Sequence, residues 1–355
     1  MTLEDLGYTP KLEEYRIAKK ITELSVARVI TEHKERYIVK NNVGEFEGEL
    51  IGNLRFSATD RTDFPAVGDW VAIATYDKNK ALIHHIFPRT SAIERQAVGK
   101  HGQKQLIATN IDVGFIVQAI NRDFSLNRLE RYLTICHTSK VSPIIILTKI
   151  DLLPNDQLKT VLVRISNRIK DIKIIAISNK TTEGIELVQS IIEKGKTYCL
   201  LGSSGVGKSS LLNSISGEEL MRTGAISTSI DRGKHVTTHR ELIVLDGGGI
   251  LIDNPGMREV GITESSEGIE MTFEEIATLG ENCRYSNCSH VQENGCAILA
   301  AVENGIIDSE AYSNYLKMQR EKQFFESTIQ EKRSKDKAFG KMIRENKKMR
   351  NRNKF

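Results

Sequence analysis

Between residues 24 and 93, apolar and polar positions alternate in short stretches separated by turn residues. The stretches are Ser25–Ile30, Arg36–Lys40, Gly44–Leu50, Asp69–Thr75 and Lys80–Ile86, with hairpin-like breaks at Asn41-Asn42, Gly52-Asn53 and Asp77-Lys78-Asn79. Successive side chains of a strand point to opposite faces, so such runs bury one face and wet the other. About five strands in one stretch predict a small β-barrel, with the OB-fold the leading candidate. Barrels of this kind stack bases on aromatic rings, which makes Arg55, Phe56 and Arg61 candidates for an RNA-contacting face. From Ile111 the pattern changes to apolar strands alternating with helical periodicity. Ile111–Ile120, Pro143–Thr148, Ile172–Ser178, Thr197–Leu201, Glu241–Leu245 and Gly249–Asp253 read as strands. Leu126–Ser139, Asn155–Ile169, Thr182–Glu193 and Lys208–Ile215 read as helices. Unbroken apolar strands alternating with helices predict a doubly wound α/β layer. Beyond residue 263 no strand is expected, and Tyr312, Tyr315, Leu316 and Gln319, like Phe339, Met342 and Ile343, keep a helical spacing.

Two motifs sit at strand ends in this α/β region. Gly202-Ser203-Ser204-Gly205-Val206-Gly207-Lys208-Ser209 follows the strand Tyr198–Leu201 and opens a helix whose next residue is Ser210. Strand before and helix after is the context that makes this spacing a phosphate-binding loop. Glycines at 205 and 207 let the backbone curl so that its amides face phosphate oxygens, and the positive helix end adds to the field. Lys208 would neutralise β- and γ-phosphate charge, and Ser209 would ligate Mg²⁺. The second motif, Thr148-Lys149-Ile150-Asp151, reads as a guanine-specificity element. Its aspartate can accept from guanine N1 and N2, a donor pair that adenine lacks, while the lysine stem covers the base plane. Ile177-Ser178-Asn179, at the end of the next strand, is the candidate backing loop for the base, with Ser178 as its site residue. GTPases usually carry Asn where Thr148 stands, a departure that bears on base affinity. In an ordinary GTPase the phosphate loop comes first; here the base-reading motif precedes it, so the nucleotide-binding domain is circularly permuted.

Asp253-Asn254-Pro255-Gly256 ends the last strand, placing Asp253 to hold Mg²⁺ through water and the Gly256 amide to meet the γ-phosphate. Between this motif and the phosphate loop lies Gly233-Lys234-His235-Val236-Thr237-Thr238-His239-Arg240, a polar segment suited to a nucleotide-dependent switch. Thr237 or Thr238 would complete the Mg²⁺ shell in the triphosphate state. Met257 follows Gly256 and cannot orient water by hydrogen bonding, so unaided turnover should be slow. His235 and His239 are the local catalytic candidates, although each reads equally well as a solvated loop histidine.

Bulk properties narrow the setting. Hydrophobic residues make up 39% and charged residues 27%, the balance of a globular chain. No apolar run approaches the roughly 20 residues of a membrane span, and the charged N-terminus has no signal-peptide core, so a cytoplasmic address is expected. Net charge is +4, but residues 331–355 carry eleven Lys/Arg against three Asp/Glu. A near-neutral body with a basic tail suits a polyanionic partner, through counterion release. The thinning apolar content beyond Lys341 predicts a tail that orders only on binding. Of five cysteines, Cys136 and Cys199 are isolated and read as small buried side chains. Cys283, Cys288 and Cys296 cluster around His290 as Cys-x4-Cys-x-His-x5-Cys, which points to a metal rather than disulfides. Three thiolates and an imidazole form a closed tetrahedral set, which suits a structural zinc. The segment looks too poor in apolar residues to hold together without it.

The permuted motif order, the N-terminal barrel and the C-terminal Cys/His motif together resemble the ribosome small-subunit-dependent GTPase A family of bacterial permuted GTPases. The likeness runs from about residue 24 to 320 and includes the Gly-Lys-His-x-Thr-Thr-His-Arg-Glu-Leu stretch at 233–242. Where the family has three consecutive switch threonines, Val236 replaces the first. The resemblance implies an OB-fold barrel, a circularly permuted P-loop GTPase core and a zinc-binding helical domain. It also implies GTP hydrolysis stimulated by the 30S ribosomal subunit, a role in late maturation of that subunit, and contact with 16S rRNA. The division expected is a barrel unit at 1–100, a GTPase unit at 101–262 and a zinc unit with basic tail at 263–355, in a monomer. In this order the switch region feeds directly into the zinc unit, so nucleotide state could reposition that unit against RNA. Two rival readings stay open: an ATP-using P-loop enzyme, and a non-catalytic RNA-binding assembly factor that holds GTP as a structural ligand.

Overall fold

The computed structural model describes residues 1–33, 35–96, 104–121, 124–217, 240–253 and 266–324, together with 331 and 334. A short helix, α1 (Pro10–Ala18), leads into the strands β1 (Ser25–His33), β2 (Arg36–Lys40) and β3 (Glu45–Leu50). Helix α2 (Gly52–Ser57) follows, then β4 (Trp70–Asp77) and β5 (Lys80–Ile86). The strands pair in the order β1-β2-β3-β5-β4, and β4 returns to β1, so the sheet closes on itself. All contacts are antiparallel except β3 with β5. A closed five-stranded barrel with these pairings is the OB-fold. The break at Gly52-Asn53, read from sequence as hairpin-like, is instead the start of α2. A strand leaving β3 cannot turn straight into a parallel neighbour, so the chain crosses over through α2 and β4 before β5 lies beside it. β1 pairs with both β2 and β4 within the barrel, and its register against β2 shifts between Val29 and Thr31, the kind of irregularity that bends a strand across a barrel. Inside lie Ala27, Val29, Tyr37, Val39, Phe46, Val71, Ile73, Ala81 and Ile83.

The hairpin β6 (Ala92–Gln96) and β7 (Lys104–Thr109) links the barrel to the α/β core. That core contains β8 (Val113–Ala119), α3 (Leu126–Thr138), β9 (Ser142–Thr148), α4 (Asn155–Arg168), β10 (Ile174–Ala176), α5 (Ile185–Gln189), β11 (Thr197–Leu201) and α6 (Lys208–Ser216), then β12 (Arg240–Val244) and β13 (Ile250–Asp253). Its strand order is β10-β9-β8-β11-β13-β12, parallel except for the edge strand β12. Leu126, Leu129, Leu133 and Ile165 of α3 and α4 cover one face, and Ile185, Val188, Leu211, Leu212 and Ile215 of α5 and α6 cover the other. Cys136 and Cys199 are both fully buried in this core. Helix α5 is shorter than its sequence pattern, since Gly184 sits at φ +75° as its N-cap and the helix ends at Gln189.

Barrel and core share backbone as well as side chains. β12 pairs antiparallel with β1 at Thr31↔Glu241 and Glu32↔Arg240, so the barrel extends the edge of the core sheet. Beneath this seam the Arg28 guanidinium is 1% exposed. It donates to the carbonyls of Leu6, Gly68 and Asn110 and to Thr197 Oγ1, at 2.5–3.1 Å. One side chain thus ties the N-terminal segment, the barrel, the hairpin and the base of β11. Burial pulls its pKa down to about 10, partly opposed by Asp112 and Asp69, which leaves it charged at neutral pH. Replacing Arg28 with Met removes the donors and leaves the carbonyls dry; a loss of about 3 kcal/mol in denaturant unfolding is expected. Unchanged stability would remove Arg28 from this role.

The C-terminal region is helical, as expected: α7 (Ser266–Thr272), α8 (Glu274–Gly280), α9 (Ala297–Glu303) and a helical run over 309–324. It contains a core of its own, built from Ile269, Phe273, Ile276, Ile298, Ala301, Ile307, Tyr315 and Met318. The core is supplied by the helices on either side of the Cys283–Cys296 loop, and that loop contributes only its cysteines to it. The module docks on α3. A Cβ at Gly268 would stand 2.0 Å from Thr138 Oγ1, so only glycine allows this approach. Thr272 bonds Thr134 at 3.0 Å and His137 at 3.1 Å, and Arg131 grips Glu321 with both terminal nitrogens. Buried Glu130 accepts from Arg168 and from Asn314 of the 309–324 helix. Burial raises its pKa even against those partners. Among the described residues no helix is long and apolar enough to cross a membrane.

Candidate nucleotide and metal sites

In a parallel α/β sheet the loops at the carboxyl ends of the strands form the ligand crevice. β11, β9, β10 and β13 all deliver their candidate residues to that edge: the phosphate loop, Thr148–Asp151, Ser178 and Asp253 respectively. The loop after β11 curls through positive φ at Gly202, Gly205 and Gly207. At Gly202 a Cβ would stand 2.3 Å from the Val117 carbonyl, which demands glycine there. Lys208 opens α6 and is 9% exposed. Its ammonium donates to the carbonyls of Gly202 and Ser203, both at 2.8 Å. It is therefore held over the concave face of the loop, beside the amides that would face phosphate. Ser203 and Ser204 form the crest, and Ser209 and Ser210 follow Lys208 in the first turn of α6.

The base-reading residues meet this loop directly. Thr148 is fully buried at the end of β9, and its hydroxyl donates to the Val206 carbonyl at 2.6 Å. Lys149 adopts a left-handed backbone conformation, φ +63°, which throws its side chain across the crevice. Its ammonium reaches the Gly205 carbonyl at 2.9 Å. Asp151 is exposed toward the crevice and accepts from the buried Ser178 hydroxyl at 2.6 Å, which orients the carboxylate. Asn179 donates to the Gly207 carbonyl at 3.2 Å. Segments in reversed chain order therefore converge on one crevice. Asp253 is 4% exposed at the end of β13, the strand beside β11. Thr237, Thr238, His235, His239, Gly256 and Met257 lie outside the described residues. Asn179 stood in the sequence only as part of the backing loop; its bond to a phosphate-loop carbonyl is one that no spacing rule encodes.

The second site lies in the C-terminal module, where the ligand atoms of Cys283, Cys288, His290 and Cys296 all fall within 4.8 Å of one another. Cys283 Sγ is 3.8 Å from Cys296 Sγ, and His290 Nδ1 lies 3.5 and 3.6 Å from those sulfurs. Tetrahedral bonds of ~2.3 Å to sulfur and ~2.0 Å to nitrogen give edges of about 3.8 and 3.5 Å. The donor set thus fits a four-coordinate metal ion. Burial alone would raise the Cys283 pKa, yet it is lowered because hydrogen bonds from the Ala297 and Ile298 amides and from the neighbouring thiols favour the thiolate. Cys296 also caps α9, its sulfur accepting from the Leu299 amide. Glu293 gathers the amides of Ser289, Val291 and Gln292, and these bonds, led by the Ser289 hydroxyl, hold its pKa well below the usual carboxylate range. Tyr312 donates to the His290 carbonyl at 2.6 Å, fastening the loop to the 309–324 helix.

Comparison with known proteins gives a consistent picture. The family model described as RsgA GTPase matches residues 86–263. A model described as ABC transporter matches 185–342. That second range contains the phosphate loop, which P-loop NTPases of many kinds share, and excludes Thr148–Asp151. A Bacteroides thetaiotaomicron protein named small ribosomal subunit biogenesis GTPase RsgA 1 is 36% identical over 346 residues, covering 96% of each chain. Among solved structures, YjeQ from Thermotoga maritima superposes with TM-score 0.61 at 26% identity, over 84% of this chain and 98% of that one. YloQ, described as a circularly permuted GTPase, gives 0.59 at 21% identity over 84% and 95%.

Proposed function

Because this chain belongs to the RsgA GTPase family and is a GTP hydrolase, we propose that it binds the 30S ribosomal subunit and assists its late maturation, with hydrolysis stimulated by the subunit. The observation that carries the guanine-nucleotide part of this reading is the set of hydrogen bonds between base-reading and phosphate loops, Thr148 to Val206 and Lys149 to Gly205. The name of the Bacteroides relative supports the ribosomal part. Asp151 reads guanine N1 and N2, with Ser178 behind it. Lys208 faces the β- and γ-phosphates, and Ser209 with Asp253 and Thr237 or Thr238 holds Mg²⁺. His235 and His239 are the candidates for orienting the attacking water, with the 30S subunit completing the geometry. The ion between Cys283, Cys288, His290 and Cys296 is a structural zinc, since its four protein ligands leave no open position. The barrel and the basic segment 331–355 meet 16S rRNA. The three units are 1–100, 101–262 and 263–355, and the protein is a cytoplasmic monomer that engages no membrane.

Phosphate release from GTP, measured with and without purified 30S subunits, tests this reading. Turnover should be slow alone and rise steeply with subunits. Equal rates in both would overturn the stimulated mechanism, and no turnover in either would favour a factor that holds GTP as a structural ligand.

A further inference from the structure

Building on the guanine-binding reading above, we propose that Asn179 supplies the hydrogen-bond donor to guanine N7 that the base-reading motif lacks because it begins with threonine. The same carboxamide braces the phosphate loop.

A threonine hydroxyl has one proton to give, and an asparagine amide has two. The proton of Thr148 is committed to the Val206 carbonyl at 2.6 Å, so nothing remains at position 148 to donate to a base. Asn179 uses one N–H on the next carbonyl of the same loop, that of Gly207, at 3.2 Å. That contact fixes which end of the amide faces the loop, since a carbonyl accepts only from N–H. The second N–H is left over. On the same carboxamide, Oδ1 is buried without a hydrogen-bond partner among the described residues. That oxygen is an acceptor, as are guanine O6 and N7, so the base meets the nitrogen of this carboxamide and not Oδ1.

Position favours the base as the acceptor of the spare N–H. Asn179 directly follows Ser178, whose hydroxyl orients Asp151. Its amide nitrogen would lie 2.9 Å from a Cβ at Gly207, and Thr148 Oγ1 would lie 3.8 Å from it, so both side chains converge on that glycine. A guanine held by Asp151 through N1 and N2 presents its other edge, O6 and N7, as acceptors. Thr148 and Asn179 thus differ in role. Thr148 holds the loop alone, whereas Asn179 holds the loop and turns a donor to the base.

Equilibrium binding of GDP, 7-deaza-GDP and ADP to the full-length protein provides the test. The 7-deaza base replaces N7 with carbon and keeps the edge that Asp151 reads. Wild type should bind 7-deaza-GDP roughly three- to tenfold more weakly than GDP, the worth of one neutral hydrogen bond. Asn179→Ala should abolish that difference while still preferring GDP to ADP. Adding Thr148→Asn to Asn179→Ala returns a two-donor amide to the pocket and should restore the difference, which also shows that the variant is folded. A wild type without a 7-deaza penalty, a full penalty surviving in Asn179→Ala, or no recovery in the double variant each overturns the proposal. If wild type fails to prefer GDP over ADP, the guanine-binding reading itself falls.

Discussion

Replacing Lys208 with alanine is expected to lower subunit-stimulated GTP turnover by about two to three orders of magnitude, the usual cost of removing one preorganised charge-stabilising group. The Lys208 ammonium rests on the Gly202 and Ser203 carbonyls, and the side chain is almost wholly buried. Little reorganisation is therefore needed when charge builds on the transferring phosphoryl group. Arginine should not rescue, because a broad planar guanidinium cannot occupy a crevice fitted to a compact ammonium. Single-turnover hydrolysis with saturating 30S subunits is the measurement. A rate within threefold of wild type would show that Lys208 does not face the phosphates.

Metal removal is the second large effect, and its extent is set by the packing of the C-terminal module. Structural sites of this kind bind zinc with on the order of 10 kcal/mol, energy that ordinarily goes into folding. Here the metal loop sits on a module with its own apolar cluster, and α7 and the 309–324 helix are fastened to α3 by Thr272, Glu321 and Asn314. Chelation is therefore expected to open residues 281–297 and fray the start of α9, with α7 and the 309–324 helix remaining protected. Hydrogen exchange resolves the two regions. Cys296→Ser should reproduce the opening even though serine caps helices well, because the thiolate ligand is lost while the cap is kept. Full exchange of α7 along with the loop would mean that the apolar cluster cannot stand without metal. Unchanged protection of 281–297 would mean that no metal organises it.

Much of this architecture was legible in the residues, for identifiable reasons. β2, β3 and β5 were visible because each has one buried and one wetter face, so alternation survives in the sequence. β1 and β4 are instead buried on both faces over Val26–Ile30 and Trp70–Ile73 and stand out as apolar runs. The phosphate loop, the base-reading motif and the Cys/His set were visible because each works through fixed local spacing. The hairpin β6–β7 was not. Its strands mix Glu94, Arg95 and Lys104 with buried Ile93, Leu106 and Ile107, and the pattern lies across a segment rich in glycine and lysine. The apolar cluster of the C-terminal module was missed because Ile269, Phe273, Ile298 and Met318 come from distant turns of chain, and local density understates what folding collects. Docking on α3 depends on Gly268 meeting Thr138, a contact between segments far apart in sequence. The expectation that the switch region repositions the zinc unit must now contend with this seam. Any such movement has to break the Glu130 and Arg131 contacts or carry α3 along.

The central claim is that Asp151 and Lys208, from segments in rotated chain order, serve a single guanine-nucleotide pocket. Competition binding of GDP, XDP and ADP to wild type and Asp151→Asn tests it most directly. An aspartate accepts from guanine N1 and N2, whereas an asparagine pairs with the N1 donor and 2-oxo acceptor of xanthine. Wild type should therefore prefer GDP over both rivals, and Asp151→Asn should exchange that preference for XDP. Equal affinity of wild type for GDP and ADP, or a variant that still prefers GDP, would contradict the account.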